Sequence, residues 1–201
     1  STPSIPVVEK VLSVNDGVAA ETRARLEAAK VFSINLMASP GAGKTSLVER
    51  TVAELKGQSL VGMINGDTSE AAFDAERSER AGAVSVHINT QGKCHLEAAM
   101  VRDALARLPV EDLRLLIIEN VGNLVCPSAW KLGAEVNVLV ASVPEGDDKP
   151  YKYPKMYSGV DVLVINKIDL LPYVDFRMDY FKRGVEALNP GLVTFEVSCR
   201  T

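Results

Sequence analysis

Between an apolar run, Val31–Met37, and a helix-forming run, SLVERTVAEL, the chain reads Ala38-Ser39-Pro40-Gly41-Ala42-Gly43-Lys44-Thr45. An apolar strand, a glycine-containing loop and a Gly-Lys-Thr at the mouth of a helix are the setting of a phosphate-binding, Walker A loop. Gly41 and Gly43 let the backbone close around phosphate oxygens with its N–H groups pointing inward. Lys44 supplies a point charge for the β- and γ-phosphates, and the Thr45 hydroxyl is a ligand for Mg²⁺. Ser46 begins the helix, whose positive end faces the anion. Ser39, Pro40 and Ala42 complete the cradle. The first glycine of the consensus is Ala38 here. That position serves the packing of the turn, so nucleotide binding is expected to survive the change. An ordinary glycine-containing turn does not account for this order of elements.

The rest of the chain alternates short β-rich runs with helix-like stretches. Strands are expected at Val31–Met37, Leu60–Asn65, Val84–Ile88, Leu113–Ile118, Val136–Val143, Val160–Asn166 and Leu192–Val197, and helices near Ser46–Lys56, Ala71–Arg80, Leu96–Arg107 and Asp175–Leu188. LRLLII, VNVLVASV and VDVLVIN are near-continuous apolar runs, the mark of parallel strands covered on both faces. The alternation predicts an α/β, doubly wound, mostly parallel sheet flanked by helices, with ligands at the carboxyl ends of the strands. Residues 1–30 read differently. Val7–Val14 and Asp16–Lys30 look like two short helices broken at Asn15-Asp16, where a side chain can cap the second, and they are expected to pack against the edge of the 31–201 domain.

The 201 residues are 47% hydrophobic and 24% charged, enough for one domain with its own core. A net charge of −4 and a pI near 5.3 argue against a nucleic-acid partner. No apolar run approaches a bilayer span and no signal peptide opens the chain, so no membrane partner is expected. Without an initiator Met, and with Thr201 in what reads as a loop, the ends are expected to be trimmed. Three cysteines, an odd number, two of them beside other metal-ligand types, suggest thiols kept for chemistry in a reducing cytoplasm.

Which base the loop serves is indicated by Asn166-Lys167-Ile168-Asp169, at the end of an apolar run. In such an NKxD loop the Asp169 carboxylate accepts hydrogen bonds from the ring N–H and the exocyclic amine of guanine. Adenine offers no such pair, and a site that loses a required partner discriminates by roughly 10⁴-fold or more. Asn166 touches the base edge or braces the loops, and the Lys167 stem lies along the ring. Ser198-Cys199-Arg200-Thr201 resembles the SAK-type loop whose backbone reads the guanine oxygen. Magnesium and the attacking water need carboxylates as well. Asp67 ranks first, Glu119, at the end of Leu115–Glu119, second, and Asp74 third. No glutamine is an obvious water-positioning residue, so intrinsic GTP hydrolysis to GDP is expected to be slow.

Cys94 and His95 stand together before LEAAMVRDALARL, and Cys126 follows the fourth strand in ENVGNLVCP. Two thiolates and an imidazole suit Zn²⁺ or Ni²⁺. CxxC is absent, and on spacing alone two buried cysteines with a capping histidine stand beside a metal site as a structural alternative. Three ligands leave a coordination shell incomplete; a two-fold dimer would supply four thiolates and two imidazoles. Because γ-phosphate contacts order nearby switch loops, nucleotide state can act on such an interface. His87 reads as a core or surface histidine, Cys199 as a small buried residue and Trp130 as a core residue.

ASPGAGKTSLVE, NGDTSEAAFDAERSERAGA, INTQGKCHLEAAMV, LLIIENVGNLVCP, SVPEGDDKPYKYP and VLVINKIDLL together resemble the hydrogenase-maturation GTPases of the HypB family, in the signal-recognition/MinD-type class of P-loop proteins. The likeness runs from VEKVLSVND to SCRT, and CHL and ENVGNLVCP are its most specific pieces. It implies GTP-dependent dimerisation, with Cys94, His95 and Cys126 as metal ligands at the dimer interface. It also implies nickel delivery to the precursor of the nickel–iron hydrogenase large subunit, alongside a zinc-ribbon maturation partner. The cysteine- or histidine-rich N-terminal tail of many such proteins is not among these 201 residues, and NGDTSEAAFDAER differs from the usual GDQQTDNDAER. Urease accessory GTPases carry Cys-Pro-His where this chain has Cys126-Pro127-Ser128. A P-loop small-molecule kinase is disfavoured by Asn166–Asp169, and a MinD-like ATPase by Ser39 where a second lysine is wanted.

Overall fold

The computed structural model describes residues 7–68 and 73–200. Seven strands form one parallel sheet in the order β3-β2-β4-β1-β5-β6-β7: β1 Phe32–Ala38, β2 Val61–Asp67, β3 Val84–Asn89, β4 Leu115–Glu119, β5 Val136–Ser142, β6 Val162–Asn166 and β7 Val193–Glu196. All seven expected strands are present, with no end shifted by more than two residues.

The sheet is apolar on both faces because successive side chains point opposite ways. In β4, Ile117 joins Val48 and Val52 of α2 (Lys44–Leu55), which are four apart and so share a helix face. Its neighbours Leu116 and Ile118 point the other way, to Val101, Ala104 and Leu105 of α4 (Ala98–Leu105). In β5, Val138 and Val140 face α2. Leu139 and Ala141 pack instead with Met156 and Tyr157 of α6 (Pro154–Ser158) and with Phe181 and Val185 of α7 (Met178–Leu188). Helix α3 (Phe73–Ala81) packs beside α2 and β3; of the stretch Ala71–Arg80, residues 71–72 lie outside the described ones. Helix α5 (Lys149–Lys152) and α6, both short and each opened by a proline in its first turn, were not expected from the sequence.

The N-terminal segment departs from expectation. Instead of two short helices broken at Asn15-Asp16, one helix, α1, runs Val7–Ala28. Its buried residues Asn15, Ala19, Thr22 and Leu26 repeat at helical spacing through the expected break. Nor does Asn15 cap its own helix. Its Oδ1 accepts from the Ala98 N–H at the start of α4 (2.8 Å), and its Nδ2 donates to the Lys131 carbonyl (2.8 Å). The segment lies on α4 and the start of β1 rather than on a sheet edge.

Candidate nucleotide and metal site

The carboxyl ends of β1, β2, β4 and β6 open onto one cleft of about 870 Å³, lined by Pro40–Gly41, Gly43–Ser46, Asp67, Asp74, Cys94, Glu119, Asn166–Lys167, Asp169 and Cys199 among others. The phosphate loop leaves β1 at Ala38, which is fully buried in the α2-side core, where its methyl group fills apolar space. Gly43 has φ +98°, and a Cβ on it would lie 2.4 Å from Asn166 Nδ2, so only glycine fits. Asn166 Nδ2 donates to the Ala42 carbonyl (3.0 Å) and Lys167 Nζ to the Gly41 carbonyl (2.6 Å). The base-reading loop thus braces the phosphate loop from across the cleft. Asp169 is held by Ser198, whose hydroxyl donates to its Oδ1 (2.7 Å), and Cys199 lies 3.6 Å from Asn166 Oδ1. Cys199 is half-buried, and burial raises its thiol pKa. Thr201 lies outside the described residues.

Lys44 and Thr45 form the first turn of α2, two residues earlier than the sequence suggested. Burial pushes the Lys44 ammonium below the ordinary lysine range, opposed by the charges of Glu119, Asp74, Glu145 and Asp67. Glu119, 4% exposed, accepts from the Thr45 hydroxyl (2.9 Å) and from Asn65 Nδ2 (3.2 Å). Its carboxyl is pushed upward by burial, against the pull of Lys44 and the Thr45 hydrogen bond. A buried ammonium beside a buried carboxylate offers one group to phosphates and the other to a divalent cation. Thr45 and Glu119 fit a magnesium ion, and Asp67, the last residue of β2, borders the same cleft. Asp67 Oδ1 accepts from the Thr68 N–H (2.6 Å), and Asp74 lies 3.9 Å from Arg77, which is itself bound to Glu49.

The metal-ligand candidates converge. One ligand atom each of Cys94, His95 and Cys126 lies within 4.8 Å of the others, although Cys94 and Cys126 are 32 positions apart. Cys94 and Cys126 lie with their Cα atoms 6.1 Å apart, close enough to join as a disulfide when oxidised. Reduced, the same pair offers two thiolates. His95 turns Nδ1 toward Cys94 Sγ (3.8 Å) and Nε2 toward Glu97 (3.5 Å), long for a hydrogen bond but close enough for the carboxylate to act on the ring. Burial lowers the His95 pKa, partly offset by Glu97, which favours the neutral, metal-binding imidazole. Trp130 is not a core residue. It is half-buried and stacks on His95, with centroids 4.5 Å apart and planes 16° from parallel.

ENVGNLVCP ties the two halves together. After Glu119, Asn120 N–H donates to the Leu36 carbonyl (2.9 Å) and Asn123 N–H to that of Ala38 (2.8 Å), so this segment is laced to the strand carrying the phosphate loop. Gly122 passes so close to Pro40 that a Cβ would lie 3.2 Å from its backbone. Asn123 Oδ1 accepts from the Val125 (2.7 Å) and Cys126 (2.9 Å) N–H groups and sets the turn that presents the cysteine. Sequence reasoning missed Asn65, Asn120, Asn123 and the partner role of Trp130. The signal that could have found Asn65 and Asn120 is a polar amide at the end of an apolar run, where burial demands a partner.

A parallel sheet with a phosphate loop after β1, a guanine-type loop after β6 and a buried acid on Thr45 defines a P-loop nucleotide-binding protein. The sequence matches the family described as CobW/HypB/UreG, nucleotide-binding domain, over residues 32–196, and the chain belongs to that family. It is 46% identical over 197 residues to a hydrogenase maturation factor HypB of Rhizobium leguminosarum bv. viciae, covering 98% of this chain. It spans 66% of that relative's length, about two thirds. Its fold is similar to a crystal structure of HypB from Helicobacter pylori in complex with nickel (TM-score 0.88, 39% identity, 93% of this chain and 87% of that one). A crystal structure of the hydrogenase maturation factor HypB from Archaeoglobus fulgidus is similarly close (TM-score 0.87, 34% identity, 94% and 92%).

Proposed function

We propose that this chain is a GTP-hydrolysing metallochaperone. In this proposal it binds nickel, or zinc, through Cys94, His95 and Cys126 at the interface of a nucleotide-dependent homodimer, and it assists nickel insertion into a nickel–iron hydrogenase. The observation that carries the proposal is the position of Cys94: it borders the cleft that holds Lys44, Thr45 and Glu119, and it meets Cys126, the end of the segment leaving Glu119. Membership of the family and the nickel-bound Helicobacter relative support it.

In the reaction, Lys44 and the loop N–H groups orient the phosphates and stabilise charge, while Asp169 selects guanine. Thr45, Glu119 and Asp67 would hold Mg²⁺, which when bound neutralises charge developing on the transferred phosphoryl group. Glu119, with its hydrogen bonds to Thr45 and Asn65, is positioned to register the ligand. Three ligands per chain call for a second copy to complete the shell, which makes dimerisation part of metal capture. A zinc-ribbon maturation protein and the hydrogenase large-subunit precursor are the proposed partners, in the cytoplasm. Among the described residues no helix is long and apolar enough to cross a membrane.

The test compares hydrolysis of GTP and ATP, and nickel binding by reduced wild type and Cys126→Ala, with molecular mass measured in each nucleotide state. GTP turnover well above ATP turnover is expected, with nickel held by a dimer and lost in Cys126→Ala. Equal turnover, or undiminished nickel binding by the variant, would overturn the assignment.

A further inference from the structure

Glu119 and Cys126 lie on one stretch of chain, but Cys94 and His95 arrive on another, the turn after β3. One side chain touches both. Asn120, 1% exposed, follows Glu119 directly. Its Oδ1 accepts from the N–H of Val121 (2.9 Å) and from that of Leu96 (3.2 Å), the residue after His95. Its Nδ2 donates to Asn35 Oδ1 on β1 (3.1 Å), and Asn35 Nδ2 donates to Asn137 Oδ1 on β5 (3.0 Å). Backbone N–H groups can only donate, so two of them fix which end of the Asn120 amide is oxygen, and the orientation of Asn35 follows. This is a buried, directional chain of side chains running from the end of β4 to the metal-ligand turn and across the strand that carries the phosphate loop.

We propose that Asn120 is the positioning residue that carries the state of the nucleotide site to the Cys94–His95 half of the metal site; this rests on the nucleotide–metal coupling proposed above. Thr45 and Glu119 are bonded to each other, and a magnesium–nucleotide complex would compete for both groups. Rearranging Glu119 displaces its neighbour Asn120. An amide held at both its oxygen and its nitrogen in a close-packed interior does not swing freely, so the Leu96 N–H moves with it. Leu96 is fully buried, and the displacement passes to His95, whose ring lies against Trp130 and faces Cys94.

The experiment measures nickel affinity of the reduced full chain in its GDP and GTP-analogue forms. In wild type the two affinities differ by about tenfold or more. In Asn120→Ala the ratio falls to within about twofold of one, while nickel affinity without nucleotide and GTP affinity without metal stay within about threefold of wild type. Asn120→Asp, whose carboxylate still accepts from the Leu96 N–H but loses the donor to Asn35 Oδ1, keeps a larger ratio than Asn120→Ala; a merely structural role gives no such ordering. An Asn120→Ala protein that keeps the wild-type ratio overturns the role of Asn120 alone, whereas a wild-type ratio of one overturns the coupling and this role together. If Asn120→Ala does not fold, the ¹⁵N–¹H resonance of Leu96 in metal-free wild type decides. It shifts between the two nucleotide forms if Asn120 transmits, and an unmoved resonance overturns the proposal.

Discussion

Asp169 is presented to the cleft with one oxygen held by Ser198, which leaves the carboxylate oriented as an acceptor for a base carrying two adjacent donors. Asp169→Asn replaces one acceptor with a donor. GTP affinity is expected to fall by about 10- to 100-fold, the scale of a lost hydrogen bond to a charged group, with preference moving to xanthine nucleotides. Binding titrations with GTP and XTP check this, and an undiminished preference for GTP would remove guanine selection from Asp169. The sequence pointed to Lys44 and Asp169, which line the cleft, and to Cys126, which meets Cys94 and His95. It did not point to residues whose work is to hold another side chain. Asn65 holds Glu119, and Trp130 covers His95, and neither has any sequence neighbour that announces the partner. Asp67, first among the sequence-based choices for magnesium, borders the cleft, but it is Glu119 that meets Thr45.

Among the elements, the strands were legible because burial on both faces demands continuous apolar runs. The N-terminal helix was not, because Asn15-Asp16 looks like a local cap while its actual partners, Ala98 and Lys131, are distant in sequence. Helices α5 and α6 were missed because two prolines in PYKYP resemble a loop, although each sits in a first turn, where its missing N–H costs nothing. Asn15→Ala tests the long-range bridge. It leaves the buried Ala98 N–H without its acceptor and the Lys131 carbonyl without its donor, a loss of about 1–3 kcal/mol or more. The melting temperature of a domain this size is then expected to drop by about 2–4 °C per kcal/mol. Thermal unfolding followed by circular dichroism measures it; an unchanged midpoint would show that α1 is docked by its apolar face alone.

Across the whole molecule, the sheet order brings the ends of β1, β2, β4 and β6 to one cleft and sends the segment after β4 past the phosphate loop to the cysteine pair. The candidate phosphate-binding and metal-binding side chains therefore lie on different, adjoining segments. Lys44→Ala is expected to abolish hydrolysis while leaving nickel affinity of the nucleotide-free, reduced protein within about twofold of wild type, since no ligand atom is touched. Loss of nickel binding in a folded Lys44→Ala protein, shown by equilibrium dialysis, would contradict that separation.

The central claim is that the two sites are energetically linked, and linkage is reciprocal. Nickel titrated into the reduced GDP and GTP-analogue forms gives one affinity ratio. The GTP analogue titrated with and without nickel, each referred to GDP, gives a second. The account predicts ratios that differ from one and agree with each other, about tenfold corresponding to ~1.4 kcal/mol of coupling. Nickel affinities that are equal in the two nucleotide forms would contradict it, leaving a nucleotide site and a metal site that share only a chain.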